Sequence, residues 1–324
     1  MGKILVTGGC GYIGSHVVKA LSESGEVVLV YDNLTQGKRD ALLGSEELVI
    51  GDICNKEALA DLFRSHQIEA VVHLAALVNA AESVSRADLY HKVNALGSHN
   101  VWEAALSASV KHLIYASSAA VYGTPRSLDP ITEDAPTIPT NPYGESKLLG
   151  EQSLVTLAAN RANYLSFRFF NVGGAEIQGR LGQSLESRAI MQRLYAHAIE
   201  GGEPVRISGN DYDTPDGTVV RDFVHVEDIA RAIVQGLAHL RAAKPSAILN
   251  LGGGVGHTIG DVIKCVEKTA GHPLSIIYGP RNPGDISYSL ANITRAMKIL
   301  SWQPSKSFED IVQSGYNSYR NRYA

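Results

Sequence analysis

The chain is 324 residues long, carries a formal net charge of −4, and contains 29 lysines and arginines that form no basic run. This length can bury a large core, and the scattered charges exclude an evident nucleic-acid-binding surface. The apolar runs have the length of strands, far below the roughly 20 residues that a membrane span requires. The three cysteines lack metal-binding or redox spacing, so we expect no metal site, no membrane partner and a reducing cytoplasm.

Short β-branched segments alternate with longer amphipathic segments in the first half of the chain. The segments without polar alternation, which predict strands covered on both faces, are 3–7, 27–31, 70–74 and 112–116. The amphipathic segments that predict helices are 13–24, 56–67, 86–109 and 143–160. Such alternation requires right-handed crossovers, so we predict an α/β fold with a Rossmann doubly wound parallel sheet.

The alternation loosens after residue 171, where glycine and proline become more frequent. A turn-rich insert at 209–217 separates the strand-like segments 205–207 and 219–226, and residues 247–251 again resemble a core strand. We therefore predict a Rossmann domain at 1–171 with return segments near 219–251. Residues 172–324 are expected to form mainly a smaller, mixed and discontinuous substrate-binding lobe.

The first predicted strand and helix are joined by the sequence GGCGYIG at 8–14. Glycines at this junction (Gly8, Gly11 and Gly14) let the backbone approach a pyrophosphate, and the helix N-terminus supplies unpaired N–H groups. Asp32 ends the second predicted strand, where a carboxylate can accept hydrogen bonds from ribose hydroxyls and repel a 2′-phosphate. An ordinary tight turn with a turn-forming Asp32 is the alternative. The position of the motif favours a dinucleotide site in domain 1–171, and NAD over NADP.

Tyr143 and Lys147 lie one helical turn apart, so both side chains are expected on the same face of a helix. A lysine beside a tyrosine is expected to lower the tyrosine pKa and so favour the phenolate. The YxxxK pattern is weak evidence in a chain with 14 tyrosines, but Ser117 and Ser118 follow a core strand, where open α/β sheets bind ligands. We predict a catalytic group of Ser118, Tyr143 and Lys147; a surface helix pair with a strand-capping serine is the alternative.

In their order and spacing, the motifs of this chain resemble those of the extended short-chain dehydrogenase/reductase family and, within it, the UDP-glucose 4-epimerases. The matching segments are TGGCGYIGSH, VYDNL, GDI, HLAA, SSAAVYG, NPYGESK, FRFFNVGGA, GNDYDTPDGTVVRDFVHVEDIA, NLGGG and PRNPGD. Besides the glycines and Asp32, the resemblance assigns to the NAD site Tyr12, Ile13, Asn33, Asp52, Ile53, Leu74, Ala75, Ala76, Asn94, Ser117, Tyr143, Lys147 and Phe170.

The resemblance implies inversion at C4 of a nucleotide-bound sugar, with NAD as a tightly bound cofactor. Tyr143 would remove the C4 hydroxyl proton as NAD takes the C4 hydride, and the hydride would return to the other face of a 4-keto sugar. Ser118 would contact the reacting oxygen, while Asn171, Arg221 and Asp285 would hold the nucleotide diphosphate. The expected substrates are UDP-glucose and UDP-galactose, and two long helices are expected to form a homodimer.

Some positions depart from the family pattern. Residues 189–193 replace a Leu-Ile-Pro-like segment near the nucleobase, and Asn282 stands where a second arginine is common. Ser289 is small at a position that is bulky in relatives restricted to glucose and galactose, so we hypothesise that the N-acetylated pair is also accepted. The sequence lacks the carboxylates that sugar dehydratases place after the active-site hydroxyl. An epimerase of a different nucleotide sugar, or a net ketone oxidoreductase, remains the alternative.

Overall fold

The structure is a computed structural model that describes residues 2–281 and 286–323. Its strands are β1 (Lys3–Thr7), β2 (Val28–Asp32), β3 (Glu47–Ile50), β4 (Ile68–His73), β5 (His112–Ser118), β6 (Asn163–Phe169), β7 (Asn171–Gly173), β8 (Val205–Ser208), β9 (Val220–His225), β10 (Ala247–Leu251), β11 (Gly256–Thr258), β12 (Ile276–Gly279) and β13 (Tyr288–Ser289). Its α-helices are α1 (Tyr12–Glu23), α2 (Lys56–Ser65), α3 (Ala80–Ser85), α4 (Ala87–Tyr90), α5 (Gly97–Ser107), α6 (Pro142–Ala158), α7 (Ile190–Glu200), α8 (Val226–Arg241), α9 (Ile259–Ala270), α10 (Thr294–Leu300) and α11 (Phe308–Tyr323).

Seven parallel strands form the central sheet, in the order β10-β6-β5-β4-β1-β2-β3. Helices α1 and α8 pack on one face and share a core with the apolar side chains of that face. Helices α2, α5 and α6 bury a second core on the opposite face. Buried apolar strands between two helical layers are typical of parallel sheets. The predicted Rossmann doubly wound fold is confirmed.

The observed elements differ from the prediction in two places. The segment predicted as one helix at 86–109 is helical, but it changes to a π-helix at His91–Leu96 between α4 and α5. The sequence analysis did not predict β6, although this strand lies between β5 and β10. Its polar Ser166 and Arg168 resemble the exposed side of a half-buried strand, yet both are buried. Their partners, described below, explain why the apolar pattern was absent.

The rest of the described chain builds a smaller mixed layer around β9. Strand β11 pairs with β9 in antiparallel orientation, whereas β7 and β13 pair with β9 in parallel orientation. Strands β8 and β12 form a separate parallel pair. Helices α7, α9 and α11 bury a third apolar core against these strands. The residue limits of the two predicted domains stay a prediction. In the described residues, no helix is both long and apolar enough to cross a membrane.

Candidate active site

The glycine-rich turn between β1 and α1 is closed tightly against its neighbours. Gly8 has a φ of 72°, and a Cβ at this position would lie 2.6 Å from the Ala75 backbone nitrogen. A Cβ at Gly14 would collide with the Gly8 carbonyl oxygen. Gly11 precedes α1 and gives it no side-chain cap. The first N–H groups of α1 are thus offered to a ligand rather than to a capping residue, as a pyrophosphate requires.

Asp32 fixes the loop after β2 to the glycine-rich turn. Its buried carboxylate accepts hydrogen bonds from the backbone N–H of Cys10 at 3.0 Å and of Leu34 at 2.8 Å. Asn33 follows and donates its side-chain amide to Asp52 at 3.2 Å. Burial tends to raise the pKa of Asp52, but hydrogen bonds from Cys54 and Asn33 outweigh it and lower the pKa. Two carboxylates therefore lie beside the turn at adjacent strand ends.

The loop after β4 lies at the same edge of the sheet. Leu74 and Ala75 donate backbone hydrogen bonds to Thr7, at the end of β1, and Ala76 follows them. Asn94 lies in the π-helical turn, fully buried, and exchanges hydrogen bonds with both backbone groups of Leu77 at 2.8 and 2.9 Å. Its amide also donates to the Ser146 hydroxyl of α6 at 3.0 Å. Asn94 thus joins this loop to α6, and π-turns often mark such functional positions.

Two further residues of the predicted NAD site are buried near these loops. The Ile53 side chain packs against Gly97 of α5, where a Cβ would lie 2.7 Å from it. Phe170 follows β6, donates its backbone N–H to Leu251 at 2.9 Å, and packs in an apolar cluster with Tyr122. Tyr12 directs its hydroxyl to the Gly174 carbonyl oxygen at 2.6 Å. Its side chain therefore joins α1 to the residue that follows β7.

Ser117 and Ser118 end β5. The Ser117 hydroxyl is buried and makes no hydrogen bond with the described residues. A buried hydroxyl without a hydrogen-bond partner lowers the stability of the fold, unless a ligand supplies that partner. The Ser118 hydroxyl accepts the Ala120 N–H at 3.2 Å and lies close enough to Tyr143 to affect the pKa of its phenol. Both serines therefore have hydroxyls at the carboxyl edge of the sheet, where the sequence analysis placed them.

Helix α6 carries Tyr143 and Lys147 and has a well-defined start. The Asn141 side chain caps it by accepting the Gly144 N–H at 2.9 Å, and Pro142 occupies the first turn. Burial raises the pKa of Tyr143, and the hydrogen bond from Ser118 opposes this rise. The expectation that Lys147 lowers the Tyr143 pKa is wrong for this arrangement. The Lys147 Nζ instead lies over the Tyr115 ring, 4.6 Å from its centre.

Lys147 is itself strongly affected by burial. Its side chain is buried, and loss of hydration lowers its pKa to about 7, against the attraction of Glu151. The Glu151 carboxylate accepts hydrogen bonds from Arg168 Nε at 3.1 Å and from the Ser166 hydroxyl at 2.8 Å. These partners lie on β6. A buried ion pair therefore fastens the catalytic helix to the sheet one turn beyond Lys147.

Three of the predicted substrate residues meet in the sheet around β9. Arg221 on β9 lies directly opposite Ser289 on β13, and Asn171 on β7 pairs with Phe223. The Arg221 Nη1 donates to the carbonyl oxygens of Val220 and Ile286 at 2.9 and 2.7 Å. These bonds hold the guanidinium against the segment that leads into β13. Asp285 and Asn282 lie outside the described residues.

Asp222 is a residue that the sequence analysis missed as a structural centre. Its carboxylate accepts backbone hydrogen bonds from Gly253, from Gly254 at 3.1 Å, and from Ala291 at 2.9 Å. Burial raises its pKa to about 6, although these bonds oppose the rise. Asp222 thus joins three segments behind the sheet that carries Arg221. The only signal in the sequence was a carboxylate inside an otherwise apolar strand.

The alternative to phosphate binding by Arg221 is an ion pair with Asp222, next to it on β9, or with Asp228 on α8. In the structure, the Asp222 carboxylate accepts hydrogen bonds from backbone N–H groups, and the Asp228 carboxylate accepts hydrogen bonds from Arg231 and Ser305. Neither carboxylate has Arg221 among its hydrogen-bond partners in the described chain. The Arg221 Nη1 donates to the Val220 and Ile286 carbonyl oxygens, and a guanidinium is the side chain that binds phosphate through paired N–H donors.

We call the region at the carboxyl edge of the central sheet, between the glycine-rich turn and the sheet around β9, the crevice. Its residues suit a dinucleotide and a substrate with a hydroxyl group. The uncapped α1, the glycine contacts, the Asp32 carboxylate and the unpaired Ser117 hydroxyl all fit bound NAD. Ser118 lies close enough to Tyr143 to oppose the rise in its pKa, and two neighbouring hydroxyls suit the movement of one proton to or from a substrate oxygen. The arrangement can therefore support transfer of hydride and proton at one carbon.

Known proteins resemble this chain along its full length. A UDP-glucose 4-epimerase of Azospirillum brasilense is 39% identical over 98% of this chain and 92% of its own. One of Halalkalibacterium halodurans is 40% identical over 98% of this chain and 95% of its own. A crystal structure of the Stenotrophomonas maltophila UDP-glucose-4-epimerase, with bound NAD and formylated UDP-arabinopyranose, superimposes with a TM-score of 0.95 and covers 100% of both chains at 34% identity. The pattern of the NAD dependent epimerase/dehydratase family matches residues 4–252, and the chain belongs to this family.

Proposed function

We propose that this chain is an NAD-dependent 4-epimerase of a nucleotide sugar, acting on UDP-glucose and UDP-galactose. The observation that carries the proposal is that Ser118, at the end of β5, lies close enough to Tyr143 on α6 to act on its pKa, while the glycine-rich start of α1 is uncapped. The two residues after Ser118 are Ala119 and Ala120. Elimination of water would need an acid and a base there, so proton removal from a hydroxyl is the chemistry that fits.

Tyr143 would take the proton of the C4 hydroxyl, and Ser118 would hold the same oxygen by a hydrogen bond. When bound, NAD supplies a reversible acceptor for the C4 hydride and a positive charge near the phenol. Burial raises the pKa of Tyr143, so the phenol keeps its proton until a positive charge lowers the pKa. Lys147, on the same helix, would hold the nicotinamide ribose with its ammonium group. The proton would return from Tyr143 when the sugar regains its hydride on the other face.

The sheet around β9 would anchor the nucleotide while the sugar turns over. Arg221 would bind the diphosphate by paired N–H donors, with Asn171 and Asp285 as further contacts. A keto sugar must expose both faces to the same hydride, so the anchored end has to stay in place while the ring rotates. Short strands held to one another by Asp222 suit that fixed end.

We propose that the size of the side chain at position 289 decides whether N-acetylated sugars are accepted. Ser289 lies next to Arg221 in register and has a small side chain, so we propose that the site also accepts N-acetylated hexoses. A purified protein that turns over UDP-galactose but none of UDP-N-acetylgalactosamine would refute this part. Replacement by a bulky residue, Ser289→Tyr, is expected to remove the N-acetylated activity and leave the other.

We also propose a cytoplasmic homodimer. Leu96 and Leu149 are 48% and 40% exposed and lie on the π-helical turn and on α6, two segments that pack against each other. Exposed leucines on neighbouring helices suit burial against a second copy. Light scattering on a sizing column should give twice the chain mass, and Leu149→Glu should shift the protein to monomer. All three cysteines are unpaired, in line with a reducing compartment.

The deciding experiment uses purified protein without added cofactor and follows C4 inversion of UDP-galactose and UDP-glucose by NMR. We expect inversion, because bound NAD is regenerated in each cycle. Tyr143→Phe should lower kcat by about 10²-fold to 10⁴-fold, whereas Tyr164→Phe, partly buried on β6, should change it little. Inversion of neither sugar by protein that carries NAD would favour another nucleotide sugar. Release of NADH with net oxidation would favour a ketone oxidoreductase.

A further inference from the structure

The charge of Lys147 is set in an unusual environment. The side chain is 3% exposed, and its Nζ makes no hydrogen bond with any of the described residues. A buried ammonium is strongly disfavoured unless other groups replace its hydration. Its one acidic neighbour on the helix, Glu151, is already neutralised by Arg168 and hydrogen-bonded by Ser166. Among the described residues, the group left to stabilise the ammonium is therefore one that attracts a cation without accepting a hydrogen bond.

The group that faces Nζ is the ring of Tyr115, on β5. The distance of 4.6 Å from Nζ to the ring centre is within the range of a cation–π contact. Such contacts strengthen as the cation loses its hydration, and the Lys147 residue is only 3% exposed. No polar atom of Tyr115 is needed for this contact, because the attraction comes from the electrons of the ring face.

The Tyr115 ring is held firmly in its orientation. The His73 ring stacks on it at 5.6 Å with an angle of 19°, and Trp102 meets it edge-on at 5.6 Å. The Tyr115 hydroxyl donates to the Lys147 carbonyl oxygen at 3.4 Å and approaches Gly150 so closely that a Cβ there would collide with it. A glycine on α6 thus makes room for the ring beneath the catalytic lysine.

His73 brings no second positive charge to this cluster. Its Nδ1 pairs with the Thr7 hydroxyl at 2.6 Å and its Nε2 with the Ser98 hydroxyl at 2.8 Å. Burial, and then the charge of Lys147, hold its pKa well below the usual range. The ionisable groups around Lys147 are Tyr143 and Glu151 on α6, Tyr115 on β5, His73 on β4 and Arg168 on β6.

We propose that Tyr115 is a positioning residue for the reaction, whose ring face keeps the buried Lys147 in its ammonium form and in place on α6. The inference rests on the proposed function, because Lys147 acts there through its charge. It predicts that an aromatic ring is required at this position and that the hydroxyl is dispensable. Tyr115→Phe should keep kcat within about twofold, and Tyr115→Leu should lower it about tenfold, with the KM for UDP-galactose unchanged.

A leucine also changes the packing, so a second series separates ring charge from shape. Phenylalanine and its difluoro and pentafluoro derivatives are placed at position 115, which keeps the ring size while the ring face loses its negative character. We expect kcat to fall stepwise by about tenfold across the series at constant thermal midpoint. Equal activity of the phenylalanine and pentafluoro proteins would overturn the proposal.

A measurement without turnover tests the same contact. The Lys147 ammonium is titrated by NMR of ¹³Cε-labelled lysine, with the signal assigned by Lys147→Arg. Its pKa should fall by about one unit from phenylalanine to the pentafluoro derivative, and an unchanged pKa would contradict the role of the ring. If the wild-type chain inverted no sugar, the proposed function would fail, and this titration would still decide the role of Tyr115.

Discussion

The two ends of the crevice are held together in different ways. At the catalytic end, Ser118 and Tyr143 stand on β5, with seven residues, and on α6, with seventeen. A buried ion pair between two side chains, Glu151 and Arg168, fastens this helix to the sheet. At the substrate end, β11 and β13 contain only three and two residues. There, the carboxylate of one side chain, Asp222, accepts hydrogen bonds from backbone N–H groups of separate loops.

The difference suggests that the two ends of the crevice have separate roles. Long elements joined by a buried ion pair hold the reacting hydroxyls in place. A substitution in this pair should therefore lower both the free energy of unfolding and kcat. Short strands joined through one carboxylate hold the groups that would bind the nucleotide. A substitution of this carboxylate should therefore first weaken the binding of the nucleotide sugar. Variants of Glu151 and Asp222 therefore test whether the two ends of the crevice are held independently.

The largest effect is expected at the catalytic end. Glu151→Ala leaves the Arg168 guanidinium buried without its partner, because both side chains are almost fully enclosed. Loss of one member of a buried pair costs about 3–5 kcal/mol, measured as the free energy of unfolding in urea. Activity should fall with it, because α6 carries Tyr143 and Lys147.

The matched control is Glu145→Ala on the same helix. Glu145 is exposed and lies 3.4 Å from His91, so its removal should cost less than about 1 kcal/mol. Equal losses of stability for the two variants would mean that the buried pair does not hold α6 to the sheet.

A smaller effect is expected at the substrate end. Asp222→Asn keeps the size of the side chain but turns an amide N–H toward a backbone N–H, which leaves at least one donor without an acceptor. The expected cost is about 1–3 kcal/mol of unfolding free energy. Because β13 and the loop at 253–254 lose their common acceptor, we expect the KM for the nucleotide sugar to rise about tenfold, with a smaller change in kcat.

Asp213→Asn is the control in the same layer, since Asp213 is exposed, and it should alter neither quantity. If Asp222→Asn lowered kcat as strongly as it raised KM, the two ends of the crevice would not act separately.

The contrast also explains what the sequence could predict. The strands β1, β2, β4 and β5 are continuous apolar runs, and the start of α6 is encoded by adjacent residues, Asn141 and Pro142. The glycine-rich turn and the serines at the end of β5 are local signals of the same kind. The fold and the grouping of the candidate catalytic residues therefore follow from short-range patterns, while the individual roles of the site residues stay a prediction.

What the sequence could not predict depends on distant partners. β6 was missed because Ser166 and Arg168 are buried only by virtue of Glu151, fifteen and seventeen residues away. The π-turn around Asn94 has no residue pattern of its own. The raised pKa of Tyr143 reflects depth of burial, which the spacing to Lys147 does not reveal. Asp222 bonds residues 31, 32 and 69 positions away, so its role appears only in three dimensions.

The smallest effect concerns two buried histidines, one on α1 and one at the end of β9. His16 on α1 accepts the Glu176 N–H, and His225 at the end of β9 accepts the Glu227 N–H. Burial lowers the pKa of each to about 4. Below about pH 6.5 the unfolded chain therefore binds protons that the folded chain does not, so stability is lost as the pH falls toward 4. Each histidine should remove about 1 kcal/mol between pH 7 and pH 5.5.

The measurement is the free energy of unfolding in urea at both pH values for the wild type and for His225→Asn. In the variant the loss on acidification should shrink by about 1 kcal/mol, although its stability at pH 7 is itself lower because the Glu227 N–H loses its acceptor. His272→Asn changes an exposed ring and should leave the pH dependence as it is. A His225→Asn protein with the full wild-type slope would show that carboxylates alone, rather than a buried neutral imidazole, set the acid sensitivity of the fold.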